Sequence, residues 1–121
     1  MNFPQQLLLV GAGGFLGAVL RWLLTLRLQS PPWDILLANV AGSLLIGLVL
    51  GWPGEGLHER SRLFLATGLC GGFTTFSTFS HQTLDLLRRG ELAAAGLNVA
   101  LSVSLCILGA WFGVVLAQKF A

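Results

Sequence analysis

Apolar residues run along this chain in four long stretches, separated by short polar breaks. Residues 1–20, 35–54, 63–84 and 92–118 contain no Asp, Glu, Lys or Arg. These windows hold 20, 20, 22 and 27 residues, together 89 of the 121. At about 1.5 Å of helical rise per residue, each is long enough to cross a hydrocarbon layer of about 30 Å. The pattern predicts an all-α integral membrane protein forming one domain over residues 1–121, with four spans near 5–26, 33–52, 63–86 and 92–118. Gln29-Ser30-Pro31-Pro32 ends the first span, Pro53-Gly54 the second and Arg88-Arg89-Gly90 the third. Trp33 and Trp52 stand where amphipathic rings favour the two membrane interfaces. The first window lacks a basic leader and a small-residue cleavage site, so it reads as a retained span.

Composition narrows the class further. Hydrophobic residues make up 55% of the chain and charged residues 10%, against roughly 25% charged in soluble domains. This excludes a soluble enzyme, and a net charge of +2 over short loops is no nucleic-acid footprint. Cys70 and Cys106 both fall inside spans, where a thiol acts as a small hydrophobe. The run Gly11-Ala12-Gly13-Gly14-Phe15-Leu16-Gly17 lacks the third glycine of a dinucleotide fingerprint and follows no strand.

Even spacing of spans puts Arg21, Arg27, Arg88 and Arg89 on one membrane face and Arg60, Arg62 and Lys119 on the other. Four positive charges against three, with the N-terminal amine on the smaller side, leave the positive-inside rule almost nothing to act on. The chain inserts in either orientation, as an antiparallel dimer requires, or carries a weak bias toward one. Glycines four residues apart, at 13 and 17, 47 and 51, 68 and 72, and 109 and 113, mark close helix packing.

The chemistry concentrates in the third span, at Gly71-Gly72-Phe73-Thr74-Thr75-Phe76-Ser77-Thr78-Phe79-Ser80. Paired glycines followed by two β-branched threonines weaken a helix. A break there frees carbonyl oxygens near mid-membrane, tolerable only when buried in protein, lining water or meeting an ion. The alternative is a continuous helix with a small polar face. Beyond the break, Phe76 and Phe79 share one face, with Ser77, Thr78, Ser80 and Thr83 around it. Aromatic edges are electropositive, so ring edges and hydroxyls can surround an anion without a full charge. Asn39 in the second span and Asn98, Ser102 and Cys106 on one face of the fourth add polar groups. No acidic or basic residue sits at the centre of these spans, which argues against a proton-coupled pump. His81 falls toward the end of its span, at an interface or vestibule.

Taken together, Gly13-Gly14-Phe15-Leu16-Gly17-Ala18 with Arg21, then Asn39, then the run from Gly71 to Ser80 resemble the fluoride channel family, Fluc or CrcB. The resemblance covers essentially the whole chain. It implies an antiparallel homodimer in a bacterial inner membrane, carrying fluoride through two separate pores. It implies fluoride contacts at Phe76, Phe79, Ser77, Thr78, Asn39 and Ser102, and a structural sodium ion at the dimer centre on the carbonyls of Gly71 and Thr74. It places Arg21, Gln82 and Asn98 in a vestibule or in packing. Gln82 and Asn98 stand where the family commonly has Glu and Tyr, and both keep hydrogen-bonding ability. Two other readings remain: a small four-span multidrug transporter, whose first-span carboxylate is missing here, and a structural or holin-like membrane protein.

Overall fold

A computed structural model describes residues 1–53 and 58–120. Among them all regular structure is helical. α1 spans Phe3–Leu28; its start is fixed by Asn2, whose side chain accepts from the Gln5 N–H at 2.9 Å while the Gln5 side chain accepts from the Asn2 N–H at 3.2 Å. It ends at Gln29, which is left-handed at φ 46°. α2 spans Trp33–Leu50 and stops at Gly51, two residues short of the expected Trp52. Pro53 closes that end, while Gly54 and Glu55, expected in the stop and the charged loop, lie outside the described residues.

The third apolar window is built in pieces: α3 (Glu59–Arg62), a π-helical segment (Leu63–Cys70), α4 (Gly71–Phe73) and α5 (Phe76–Arg88). Eight residues of π-helix exceed the single turn usual for this geometry, which recurs at functional sites. α6 runs unbroken over Leu92–Phe120. α5 and α6 meet at Gly90 (φ 76°), where the Glu91 N–H donates to the Leu86 carbonyl at 2.9 Å and the Gly90 N–H to the Leu87 carbonyl at 3.1 Å, a Schellman turn. Three helices, α1, α2 and α6, are individually long and apolar enough to cross a membrane.

Packing follows the small-residue stripes. α1 lies against the π-helical segment and α4, and α2 against α6. A methyl group placed on Gly17 would lie 2.7 Å from the Phe73 amide nitrogen, and one on Gly13 2.8 Å from that of Leu69. Across the second pair, a methyl on Gly113 would come within 2.8 Å of the Leu48 nitrogen. The glycines predicted to pack therefore pack on one another's helices: 13 and 17 against 68 and 72, and 47 against 113. Buried side chains are few, with Ile35, Ala38, Cys70 and Ala95 among them. Large apolar residues such as Leu8, Phe15 and Ile107 face outward, the inverse of a water-soluble core.

Candidate functional site: a polar groove at the helix break

The third window breaks at Thr74 and Thr75, both in extended conformation (φ −90°, ψ 153° and φ −151°, ψ 120°). The paired glycines are not the break. Gly71 and Gly72 stay helical, and Gly72 serves instead as a contact surface for Gly14 of α1. Threonines take the extended position because β-branching suits it and because their side chains replace lost backbone bonds. The Thr75 hydroxyl oxygen caps α5, accepting from the Thr78 N–H at 3.2 Å. The Thr74 hydroxyl and N–H both donate to the Cys70 carbonyl, at 2.8 and 3.0 Å.

A break strands backbone groups, and two distant side chains collect several of them. Asn39 of α2 accepts the Thr75 N–H on Oδ1 at 2.8 Å and donates Nδ2–H to the Thr75 carbonyl at 3.1 Å. Arg21 of α1 donates Nε–H to the Gly72 carbonyl at 3.2 Å, two residues before the break. In an unbroken helix the Gly71 carbonyl would take the Thr75 N–H and the Thr74 carbonyl the Thr78 N–H. Those donors go to Asn39 and to the Thr75 hydroxyl. The two carbonyls expected to hold a cation are therefore released from the helical pattern, which suits hard oxygen ligation.

Beside the break lies a groove of about 660 Å³ between α2, the third window and α6. Asn39, Thr75, Phe76, Phe79 and Ser102 line it, together with Gly71 and Thr74; no charged side chain does so among the described residues. The Phe76 and Phe79 rings lie 5.4 Å apart, centroid to centroid, tilted by 48°. Phe76 is 79% exposed, and Phe79 is half-buried. Each amide nitrogen carries two hydrogens, so Asn39 keeps one N–H beyond its bond to Thr75.

The remaining expected residues lie around the groove rather than on it. Ser77 and Thr78 sit at the α5 cap, their hydroxyls 3.2 and 3.3 Å from that of Thr75. The Ser80 and Thr83 hydroxyls donate back to the Phe76 and Phe79 carbonyls, at 2.9 and 2.8 Å. Asn98 is buried and donates to the Thr83 hydroxyl at 3.0 Å, and Ser102 donates to Asn98 at 3.4 Å. His81 is exposed. Gln82 donates to Asp34 at 3.4 Å. Asp34 is the residue that sequence reasoning passed over: it falls at the start of the second span, just before the charge-free window, and is 5% exposed in the first turn of α2. Its signal was its place just after Pro31-Pro32-Trp33, where an acid faces the unpaired N–H groups of a helix start.

Residues 8–114 match the family described as CrcB-like protein, Camphor Resistance (CrcB). The chain is 54% identical over 90 residues to the fluoride-specific ion channel FluC of Methylocella silvestris, covering 71% of this chain and 69% of that protein. It is 43% identical over 119 residues to the protein of the same name from Elusimicrobium minutum (93% and 94% covered). With the one from Campylobacter jejuni identity is 44% over 116 residues (90% and 94% covered). On the span of that match, the extent of these identities and the groove at its broken helix, this chain belongs to the CrcB-like family.

Proposed function

We propose that this chain is a fluoride-selective ion channel, not an enzyme, which lets fluoride leave the cell passively through a bacterial inner membrane. The observation that carries the reading is the groove at the break: two phenylalanine rings, the Asn39 amide and hydroxyl side chains line it, and no charged side chain does so among the described residues. A full positive charge would hold a small anion too tightly to release it. Oriented dipoles replace part of fluoride's water shell while still letting it go. The sequence relatives bearing the name fluoride-specific ion channel support the same substrate.

Fluoride enters cells as a neutral weak acid and ionises inside. A membrane potential then favours its exit by about 2.3 kcal/mol per charge per 100 mV, so no fuel is needed.

The working form is an antiparallel homodimer of four-span subunits. A polar groove cannot face lipid, and its apolar rim at Phe76, Val103 and Ile107 is 79%, 55% and 65% exposed in the single chain. A second copy covers it, and the near-even charge count permits opposite insertion. Carbonyls of Gly71 and Thr74 from both subunits would hold a structural sodium ion, supplying fixed positive charge where the two breaks meet. Fluoride release from proteoliposomes tests the reading; release no faster than from protein-free vesicles refutes it.

A further inference from the structure

Asp34 is the one charged side chain that is buried among the described residues. Its Oδ1 accepts from the Ile35 N–H at 2.7 Å and from the Gln82 amide at 3.4 Å. The other Gln82 atom, Oε1, is buried without a partner. Phe79 and Gln82 are three residues apart on α5, so they are neighbours on its surface, about 4.5 Å apart along the axis. α2 and α5 are thus joined at two levels: Asn39 with Thr75 beside the groove, and Asp34 with Gln82 one turn beyond Phe79. The buried carboxylate thus lies on α2 five residues before Asn39, which lines the groove, and puts a negative charge near the end of the anion path.

We infer that Asp34 restrains anion passage: its carboxylate, buried five residues before Asn39 on α2 and bonded to Gln82, the residue one turn beyond Phe79 on α5, sets the rate at which the anion leaves the groove. The inference rests on the anion-channel reading. A neutral amide at Gln82 fits this role, since a second carboxylate 3.4 Å away would repel the first. The bland role for an acid here is to accept from the Ile35 N–H and the Gln82 amide, and an Asn carbonyl oxygen can accept both bonds as well. Asp34→Asn therefore separates the two roles, because it keeps the acceptor for Ile35 and Gln82 and removes only the charge.

The test is fluoride efflux from proteoliposomes bearing the wild type, Asp34→Asn, Gln82→Glu and the exchanged pair D34N/Q82E. Asp34→Asn is expected to speed efflux roughly threefold or more, since field-focusing charges beside an ion path change ion flow by such factors. Gln82→Glu should slow efflux, and the exchange should return it to the wild-type rate, because it restores one carboxylate and one amide. Efflux unchanged or slowed in Asp34→Asn would overturn the inference, as would Gln82→Glu efflux at or above wild type. If Asp34→Asn does not assemble, Gln82→Glu and the exchanged pair decide alone: an exchange that stays as slow as Gln82→Glu overturns it. Absence of efflux from the wild type sinks the channel reading itself, a result distinct from all of these.

Discussion

Asn39 and Thr75 exchange two hydrogen bonds, the Thr75 N–H to Oδ1 at 2.8 Å and Nδ2–H to the Thr75 carbonyl at 3.1 Å. One amide side chain thereby stands in for the backbone partners that Thr75 loses at the break. The same amide keeps a second N–H, and Asn39 lines the groove together with Phe76 and Phe79, so the group that makes the break affordable also borders that groove.

Replacing Asn39 with Ala should therefore damage folding and transport together. Both Thr75 backbone groups lose their partner, at about 1–3 kcal/mol for each unsatisfied group. Thermal unfolding in detergent should show a clearly lowered midpoint, and fluoride efflux should fall. An Asn39→Ala protein as stable as wild type would contradict the bonding described.

Substitution of the packing glycines should divide sharply by position. Gly17→Ala pushes a methyl against the backbone of Phe73 and should destabilise by about 1–3 kcal/mol or more. Gly11→Ala and Gly96→Ala, where nothing lies within 4 Å of the added atom, should be neutral or slightly stabilising. The yield of folded protein and its thermal midpoint report the difference. A dimer interface running over Gly11 or Gly96 would appear as an exception to it.

Much of this was legible in the chain. The charge-free windows locate the helices to within a few residues, and the glycine pairs identify which surfaces meet. The polar run from Gly71 to Ser80 marks the break, but not which of its glycines and threonines leave the helix. Low helix propensity at Gly71-Gly72 is a local property, whereas those residues are held helical by close packing on α1, and the chain breaks at the next residues able to cap. The π-helical stretch had no local signature. Neither did the burial of Asp34, because α5 brings Gln82 to it only after the break sets that helix's direction. Partners 36 or 51 residues apart, such as Asn39 with Thr75 and Arg21 with Gly72, are products of the assembled fold.

The phenylalanines separate transport from packing. Phe76 is 79% exposed in the single chain, so it contributes little to packing within one subunit. Isoleucine keeps bulk but has no electropositive ring edge. The double change of Phe76 and Phe79 to Ile should slow fluoride efflux at least about tenfold, equivalent to roughly 1.4 kcal/mol in barrier height. Preserved efflux would assign the two rings to packing alone.

Sodium should stabilise the assembled protein. Carbonyl oxygens released at Gly71 and Thr74 offer a small hard cation ligands that a bulky organic cation cannot use. Exchange of sodium for N-methylglucamine at equal ionic strength should lower the thermal midpoint of the protein, and returning sodium should restore it. A midpoint indifferent to the cation would count against a structural ion at this place.

The central claim is that an uncharged groove at a broken helix conducts fluoride selectively. Parallel electrode recordings of fluoride and chloride efflux from the same proteoliposomes test it most directly. The account predicts fluoride release far above that of protein-free vesicles, with chloride at the background leak. Equal release of the two halides, or fluoride release no faster than from empty vesicles, would contradict it.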